Sequence, residues 1–375
     1  MPPLLYLLAS GNLVIGTSAF LLTGVLQPVA TSLGTSVAAV GQTMTAYALA
    51  TALLAPPLLV ATAGWSRRTT LQVALALFAC GMLVCGLADS LPALLAGRVL
   101  MGAGAVFTPI SASIAVAVVA PERQGKALSL TFLGMSMSYV VGLPLGAWLG
   151  LRFGWRVPVL GLAAVSALMI VLVGAWIPST IRPPGASFRG LGALLRQAEV
   201  FRTLALTLCY FCAIFTVFSY TAPVLQALSP MTPETLSLTL MVFGLAGVTG
   251  TLTGGWASDH FGPIRTLRVQ LATLAAMMLL VPFTQGHYLP MVAVFFAWGV
   301  AGFGMMSPTQ ARLATAAPAQ APLLFSLNTS MLYVGTALGA AVGGVSGALF
   351  GFATLSWVGA GFALVGGISL CRARR

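Results

Sequence analysis

Apolar stretches of at least 18 residues recur along this chain between short polar breaks. An α-helix rises about 1.5 Å per residue, so about 20 apolar residues cross a hydrocarbon core about 30 Å thick. The pattern predicts twelve membrane-spanning helices, over residues 4–29, 38–62, 71–88, 92–115, 127–149, 157–177, 203–225, 234–257, 268–285, 289–311, 321–346 and 353–371. The fold class expected is therefore all-α, a polytopic membrane protein with twelve transmembrane helices. The longest polar break, Pro178 to Arg202, separates six predicted spans in residues 1–177 from six in residues 203–375, so residues 178–202 read as a linker. In it Phe188, Leu191, Leu194, Leu195 and Ala198 recur at helical spacing beside Arg189, Arg196 and Arg202. That is the pattern of a short helix lying on an anionic membrane surface, which makes a bilayer with anionic lipids an expected partner.

Composition sharpens the picture by exclusion. Only 6% of the 375 residues are charged and 59% are hydrophobic, against about a quarter charged in soluble domains, which excludes soluble enzymes and disordered chains together. A net charge of +12 suits either nucleic acid or the positive-inside bias of membrane proteins, and the placement of the cations decides for the membrane. One side of the predicted topology receives Arg67, Arg68, Arg123, Lys126, Arg182, Arg189, Arg196, Arg202, Arg265, Arg268, Arg312, Arg372, Arg374 and Arg375, the other only Arg152 and Arg156. Both termini are thus expected in the cytoplasm, with Arg98 the single basic residue inside a span. The N-terminus has no charged n-region and leads into a run longer than a signal peptide's apolar core, so the first helix is expected to stay in the mature chain. Cys80, Cys85, Cys209 and Cys212 lie in apolar runs and Cys371 at their edge, where they read as packing residues rather than as a disulfide or metal framework.

Internal repetition gives the architecture. Gly142, Gly146 and Gly150 form a small-residue ladder that Gly335, Gly339 and Gly343 repeat 193 residues later. Such ladders let two backbones approach closely in lipid, which supplies no hydrophobic drive between helices. The segment ATAGWSRRTTL from Ala61 to Leu71 likewise answers ASDHFGPIRTL from Ala257 to Leu267, 196 residues on. Two pseudo-symmetric six-helix halves follow, the plan of transporters that hold a solute between two rocking halves.

Four segments carry a family resemblance. Gly255 to Arg265, GWASDHFGPIR, resembles the loop G-x-x-x-D-R-x-G-x-R of the major facilitator superfamily, with His260 where arginine is usual. Arg98, Gly102 and Gly104 resemble its R-x-x-x-G-x-G motif in helix four. Gly142-Leu-Pro144-Leu-Gly146, followed by Phe153-Gly154-Trp155-Arg156, is similar to the helix-five antiporter motif and its outer loop, and Asn328-Thr329-Ser330 is similar to a segment of the efflux permeases. The resemblance spans nearly the whole chain and points to the drug/proton antiporter branch that includes sugar-efflux and arabinose-efflux-like permeases. It implies a bacterial inner-membrane carrier, monomeric, without cofactor, metal or nucleic-acid partner, and not an enzyme. The implied function is export of a small organic solute (drug-like compound, sugar or related metabolite) by alternating access, with proton antiport as one mode. An uncoupled facilitator and a non-transporting membrane sensor or assembly factor are the alternatives.

Departures from the family pattern are informative. Gly16 to Phe20, GTSAF, resembles a segment that often reads G-T-T-E-F, so Ala19 stands where a membrane-embedded glutamate is usual. In the first-half loop Ala63 replaces the motif's aspartate and Ser66 its glycine, while Arg67 and Arg68 remain. The acids read structurally: Asp89 as the N-cap of helix four, Glu234 in the first turn of helix eight, Glu122 paired with Lys126, and Glu199 on the linker. Only Asp259, with Gly262 and Arg265, reads as a gating group, together with Arg67 and Arg68 of the first-half loop.

With no Asp, Glu, His or Lys deep in a predicted span, cavity polarity is expected from Asn12, Thr17, Tyr47, Tyr139, Tyr210, Tyr220, Asn328, Thr329 and Tyr333, with Arg98 the one charge. Thr329 and Tyr333 share a helix face at i,i+4. His260 and His287 fall in loops on opposite sides, which leaves no metal site or nucleophile and base pair. Depth arithmetic at about 1.5 Å per residue places Ala19 and Arg98 at similar levels. Arg98 therefore either pairs with carbonyls or receives an anionic substrate group.

Overall fold

The computed structural model describes residues 2–62, 64–120, 123–180, 195–317 and 321–371. Eleven helices among them are long and apolar enough to cross a membrane: α1 (Leu4–Gly24), α2 (Val37–Ala61), α3 (Arg67–Leu87), α4 (Leu91–Ala117), α5 (Lys126–Phe153), α6 (Arg156–Trp176), α7 (Ala198–Phe218), α8 (Pro233–Phe261), α9 (Pro263–Thr284), α10 (Tyr288–Ala316) and α11 (Leu323–Phe350). A shorter apolar helix, α12 (Phe352–Ile368), completes twelve, and no strand occurs among the described residues. Capping accounts for several helix starts. Ser36 and Ser66 accept from the backbone N–H of Ala39 and Thr69, at 3.1 and 3.2 Å, and Thr232 accepts from Thr235 N–H at 3.3 Å with Pro233 as the first helical residue. Each side chain satisfies a donor that the first turn leaves free, and Pro233 has no N–H to lose. Glu234 lies in that first turn, as expected from the sequence.

The chain forms two compact units, Met1–Ser187 and Phe188–Arg375. Each repeats details of the other that hydropathy alone does not show. In the first unit α1 tightens into a 3-10 turn over Leu21–Gly24, breaks at Val25 and resumes as a short helix, Leu26–Ser32. In the second, α7 ends at Phe218 and resumes after Tyr220 as Thr221–Leu228. The uninterrupted helices expected over 4–29 and 203–225 are thus corrected: the breaks fall beside Thr23-Gly24 and at Ser219-Tyr220-Thr221, polar or flexible residues too few to lower the mean hydropathy of a whole span.

The two glycine ladders work through close contact of different kinds. A Cβ added at Gly335 or Gly339 would lie 2.5 Å from the carbonyl oxygens of Leu208 and Cys212, and one at Gly343 would strike that of Thr216. The ladder therefore seats α11 directly on the α7 backbone. In the first unit Gly142, Gly146 and Gly150 instead face the side chains of Thr17, Leu21 and Val25, so α5 packs on α1 by giving room to side chains rather than by backbone contact. Pro144 lacks the N–H that an α-helix would use, and a π-helical turn at Ser138–Gly142 precedes it.

Helix bounds correct three further expectations. α10 runs to Ala316, beyond the predicted end at 311, so Arg312 is not a loop residue but a helical one, 2% exposed. Arg98 is accordingly not the only basic residue within a span. α7 begins at Ala198, which places Glu199 in its first turn rather than on the linker. Ser90, not Asp89, is the N-cap of α4, and Asp89 instead pairs with Arg156 at 3.0 Å. Ala63, Glu122, Arg182, Phe188, Arg189, Leu191, Leu194, Arg372, Arg374 and Arg375 lie outside the described residues, and with them most of the expected linker helix and the Glu122–Lys126 pair.

Candidate functional site

In the first unit the polar interior is organised by Arg98, 1% exposed on α4. The glycines that follow it put it there. A Cβ at Gly102 would lie 2.6 Å from the Tyr47 carbonyl oxygen on α2, and one at Gly104 2.6 Å from that of Ala74 on α3. That proximity brings the guanidinium over the Tyr47 ring, 4.9 Å from its centroid, and Nε to the Thr43 carbonyl at 3.3 Å. Nη1 donates to the Ser18 carbonyl at 3.1 Å and Nη2 to that of Ala19 at 2.6 Å. The remaining N–H groups face the sulfurs of Met101 and Met44, at 3.9 and 3.7 Å.

Those contacts complete the end of the α-helical part of α1, Leu4–Phe20. The last four carbonyls of an α-helix lose their i+4 partners. Here Thr17 keeps its own i+4 partner, Leu21 N–H, while Arg98 takes the carbonyls of Ser18 and Ala19 and Thr23 Oγ1 takes that of Phe20 at 2.7 Å. The arginine is thus a C-cap supplied by another helix, and its charge is favourable at the negative end of the helix dipole. Ala19 and Arg98 meet at one depth, and the contact is through the Ala19 backbone.

Asn12 is fully buried, and its Nδ2 donates to Ser111 Oγ at 3.0 Å and to the Thr131 carbonyl at 3.2 Å, tying α1 to α4 and α5. Thr17 lies against Gly142, and half-buried Tyr139 stacks on Phe20 at 5.0 Å. In the second unit the amide sits on the other helix of the corresponding pair: Asn328 of α11 accepts from Thr207 Oγ1 of α7 at 2.6 Å. Tyr220 donates to the Ala340 carbonyl at 2.9 Å, and Tyr210 points its hydroxyl at Met306 Sδ, 3.9 Å away. Thr329 is exposed and Tyr333 half-buried, one turn apart on α11. Within each unit, then, Asn12, Tyr210, Tyr220 and Asn328 are engaged in helix-to-helix contacts.

The loop expected to gate is compact. α8 ends and α9 begins at Gly262, whose φ of +80° lies in the region open to glycine. Asp259 and Arg265 are both exposed and no ion pair joins them; Arg265 lies over the Phe261 ring, 5.9 Å from its centroid. With Arg268 it lines a shallow depression of about 470 Å³. His260 turns its Nδ1 to the Trp256 carbonyl at 3.1 Å. At the start of α3, Arg67 is 7% exposed and Arg68 half-buried.

One pair was missed by the sequence reading: the Glu199 carboxylate accepts from Arg312 Nε. Its signal lay in the boundary of the tenth span, which runs five residues beyond the expected end at 311 and so takes in Arg312. Among the described residues no cluster of His, Cys, Asp and Glu is suited to a metal.

The sequence profile of the Major Facilitator Superfamily matches residues 8–318 and, in a second match, 230–375. The chain is 28% identical over 357 residues to an uncharacterized MFS-type transporter, YbcL, of Bacillus subtilis strain 168, covering 95% of this chain and 92% of the relative. It is 29% identical over 366 residues to the inner membrane transport protein YdhP of Escherichia coli K12, covering 97% and 93%. It is 27% identical over 359 residues to a probable sugar efflux transporter of Pasteurella multocida strain Pm70, covering 96% and 89%. The fold is shared with the crystal structure of a bacterial homolog of the human lysosomal transporter Spinster in an inward-facing, occupied conformation, with a TM-score of 0.86 at 17% identity over 99% of this chain and 96% of that one.

Proposed function

The chain belongs to the Major Facilitator Superfamily, whose members are membrane transporters and not enzymes, and on that premise we propose that it exports a small organic solute by alternating access. It is an integral membrane protein whose relatives include bacterial inner-membrane transporters, and its substrate is a small molecule. The reading of export rests on one observation, the likeness along 96% of the chain to a probable sugar efflux transporter. The glycine ladders of α5 and α11 are consistent with it, since close helix pairs let each unit move as a body. The arginine-rich ends of the helices face the cytoplasm in this proposal, the chain acts as a monomer, and anionic lipids contact the basic linker.

Coupling divides two readings. Antiport against protons is favoured by the resemblance of Gly142-Leu-Pro144-Leu-Gly146 to the antiporter motif; an uncoupled facilitator is favoured by Ala19, which leaves α1 without the acid usual at that place. Flux of a panel of sugars and drug-like compounds in proteoliposomes, with and without an imposed proton gradient, separates them. Uphill movement only with the gradient supports antiport, and equilibration in both conditions supports the facilitator. No flux of any compound into vesicles holding folded protein sinks the carrier reading.

A further inference from the structure

Counting N–H groups separates the two most deeply buried arginines among the described residues. A guanidinium has five, and Arg98 directs three at carbonyls and two at thioether sulfurs. Arg312, 2% exposed, uses one: Nε donates to Glu199, while Nη1 and Nη2 are buried without a partner among the described residues. The free edge is the one that binds a carboxylate or phosphate through two parallel hydrogen bonds. A buried charge is expensive unless paired and hydrogen-bonded, and four idle donors leave that condition half met.

Charge favours an anion there. Arg202, one turn along α7 from Glu199, also acts electrostatically on its carboxylate, so two cations share one acid and the group carries a net charge of about +1. The residues next in sequence to the two partners, Val200 and Leu313, join Leu204 and Leu324 in an apolar cluster. Apolar surroundings strengthen a charge-assisted bond. Arg312 lies four residues from the end of α10, about 6 Å in from it.

We propose that Arg312 receives an oxyanion, carboxylate or phosphate, carried by the transported solute, with Glu199 holding Nε so that the Nη edge is presented. This rests on the carrier reading and narrows its solute to an organic acid or a phosphorylated compound. Arg98, with its donors committed to α1 and α2, is not that receptor. An anionic lipid headgroup offers the same chemistry, and the test distinguishes the two.

Purified full-length protein in detergent is titrated with inorganic phosphate and with benzoate against chloride of equal ionic strength, and its thermal midpoint is followed. A saturable rise is expected for an oxyanion and not for chloride. Arg312→Lys weakens the apparent affinity about tenfold or more, by loss of one charge-assisted bond, and Arg312→Gln abolishes the response. Gly361→Ala, which meets open space, keeps the response, and Arg312→Lys, which retains the charge, keeps the test readable even where Arg312→Gln does not fold. Nanodiscs of phosphatidylcholine with and without phosphatidylglycerol assign the source. An undiminished phosphate response with phosphatidylglycerol present assigns the site to the solute. Arg312-dependent stabilisation by phosphatidylglycerol that removes that response assigns the anion to lipid and overturns the proposal. An equal response in wild type and Arg312→Lys, or none in wild type, also overturns it, and solute flux persisting in that case leaves the carrier reading standing.

Discussion

Replacing Arg98 by methionine and by lysine should have opposite consequences according to whether its charge or its fork matters. Arg98→Met strands the Ser18 and Ala19 carbonyls, which Arg98 serves at 3.1 and 2.6 Å, at about 1–3 kcal/mol each. It also recovers the cost of holding a cation in the membrane, at least about 2.5 kcal/mol, so the net loss is about 0–3 kcal/mol. Arg98→Lys keeps that cost. An ammonium concentrates its donors at one point, whereas the carbonyls of Ser18, Ala19 and Thr43 are each served by a different guanidinium nitrogen. At least one charged hydrogen bond is lost, about 1.5–3 kcal/mol, so lysine is expected to be no better tolerated than methionine. Thermal unfolding read by a thiol-reactive dye suits the protein, since Cys85 and Cys212 are each 1% exposed, and a Cys80→Ala, Cys371→Ala background removes the thiol that is exposed among the described side chains together with the terminal one. A lysine variant with the wild-type midpoint beside a methionine variant that unfolds early would show that charge alone holds the site, and the capping argument would fail.

Gly339→Ile should lower the midpoint by the equivalent of about 1–3 kcal/mol, because its Cβ would sit 2.5 Å from the Cys212 carbonyl oxygen, whereas Gly361→Ala, with open space around it, should leave it unchanged. Asp259→Asn is expected to slow transport while substrate affinity stays within about twofold; unchanged turnover in the proteoliposome assay would remove this acid from gating. Single cysteines at positions 68, 152 and 196, in a cysteine-free background, should react with an impermeant reagent from outside sealed cells only at 152, and reaction at 68 or 196 would invert the proposed orientation.

Which features were legible beforehand follows from what each depends on. Span number and the twofold repeat are properties of composition and period, because lipid demands about 20 apolar residues wherever a helix crosses it; the glycine ladders of Gly142 and Gly335 likewise announce close packing through their spacing alone. The breaks at Val25 and after Phe218 are marked only by Thr23-Gly24 and Ser219-Tyr220-Thr221, two or three residues that a span-length average of hydropathy absorbs. The assignment of charged residues depended on boundaries: a shift of five residues at the start of α7 and at the end of α10 moved Glu199 and Arg312 from loop to helix. Sequence by itself determined that Arg98 must find partners, because an unpaired cation is costly in the membrane. Only the tertiary structure decided which ones, because the carbonyls it takes lie 79, 80 and 55 residues away. Backbone acceptors look alike at every position of a sequence, and it is helix packing that selects which of them an arginine can reach.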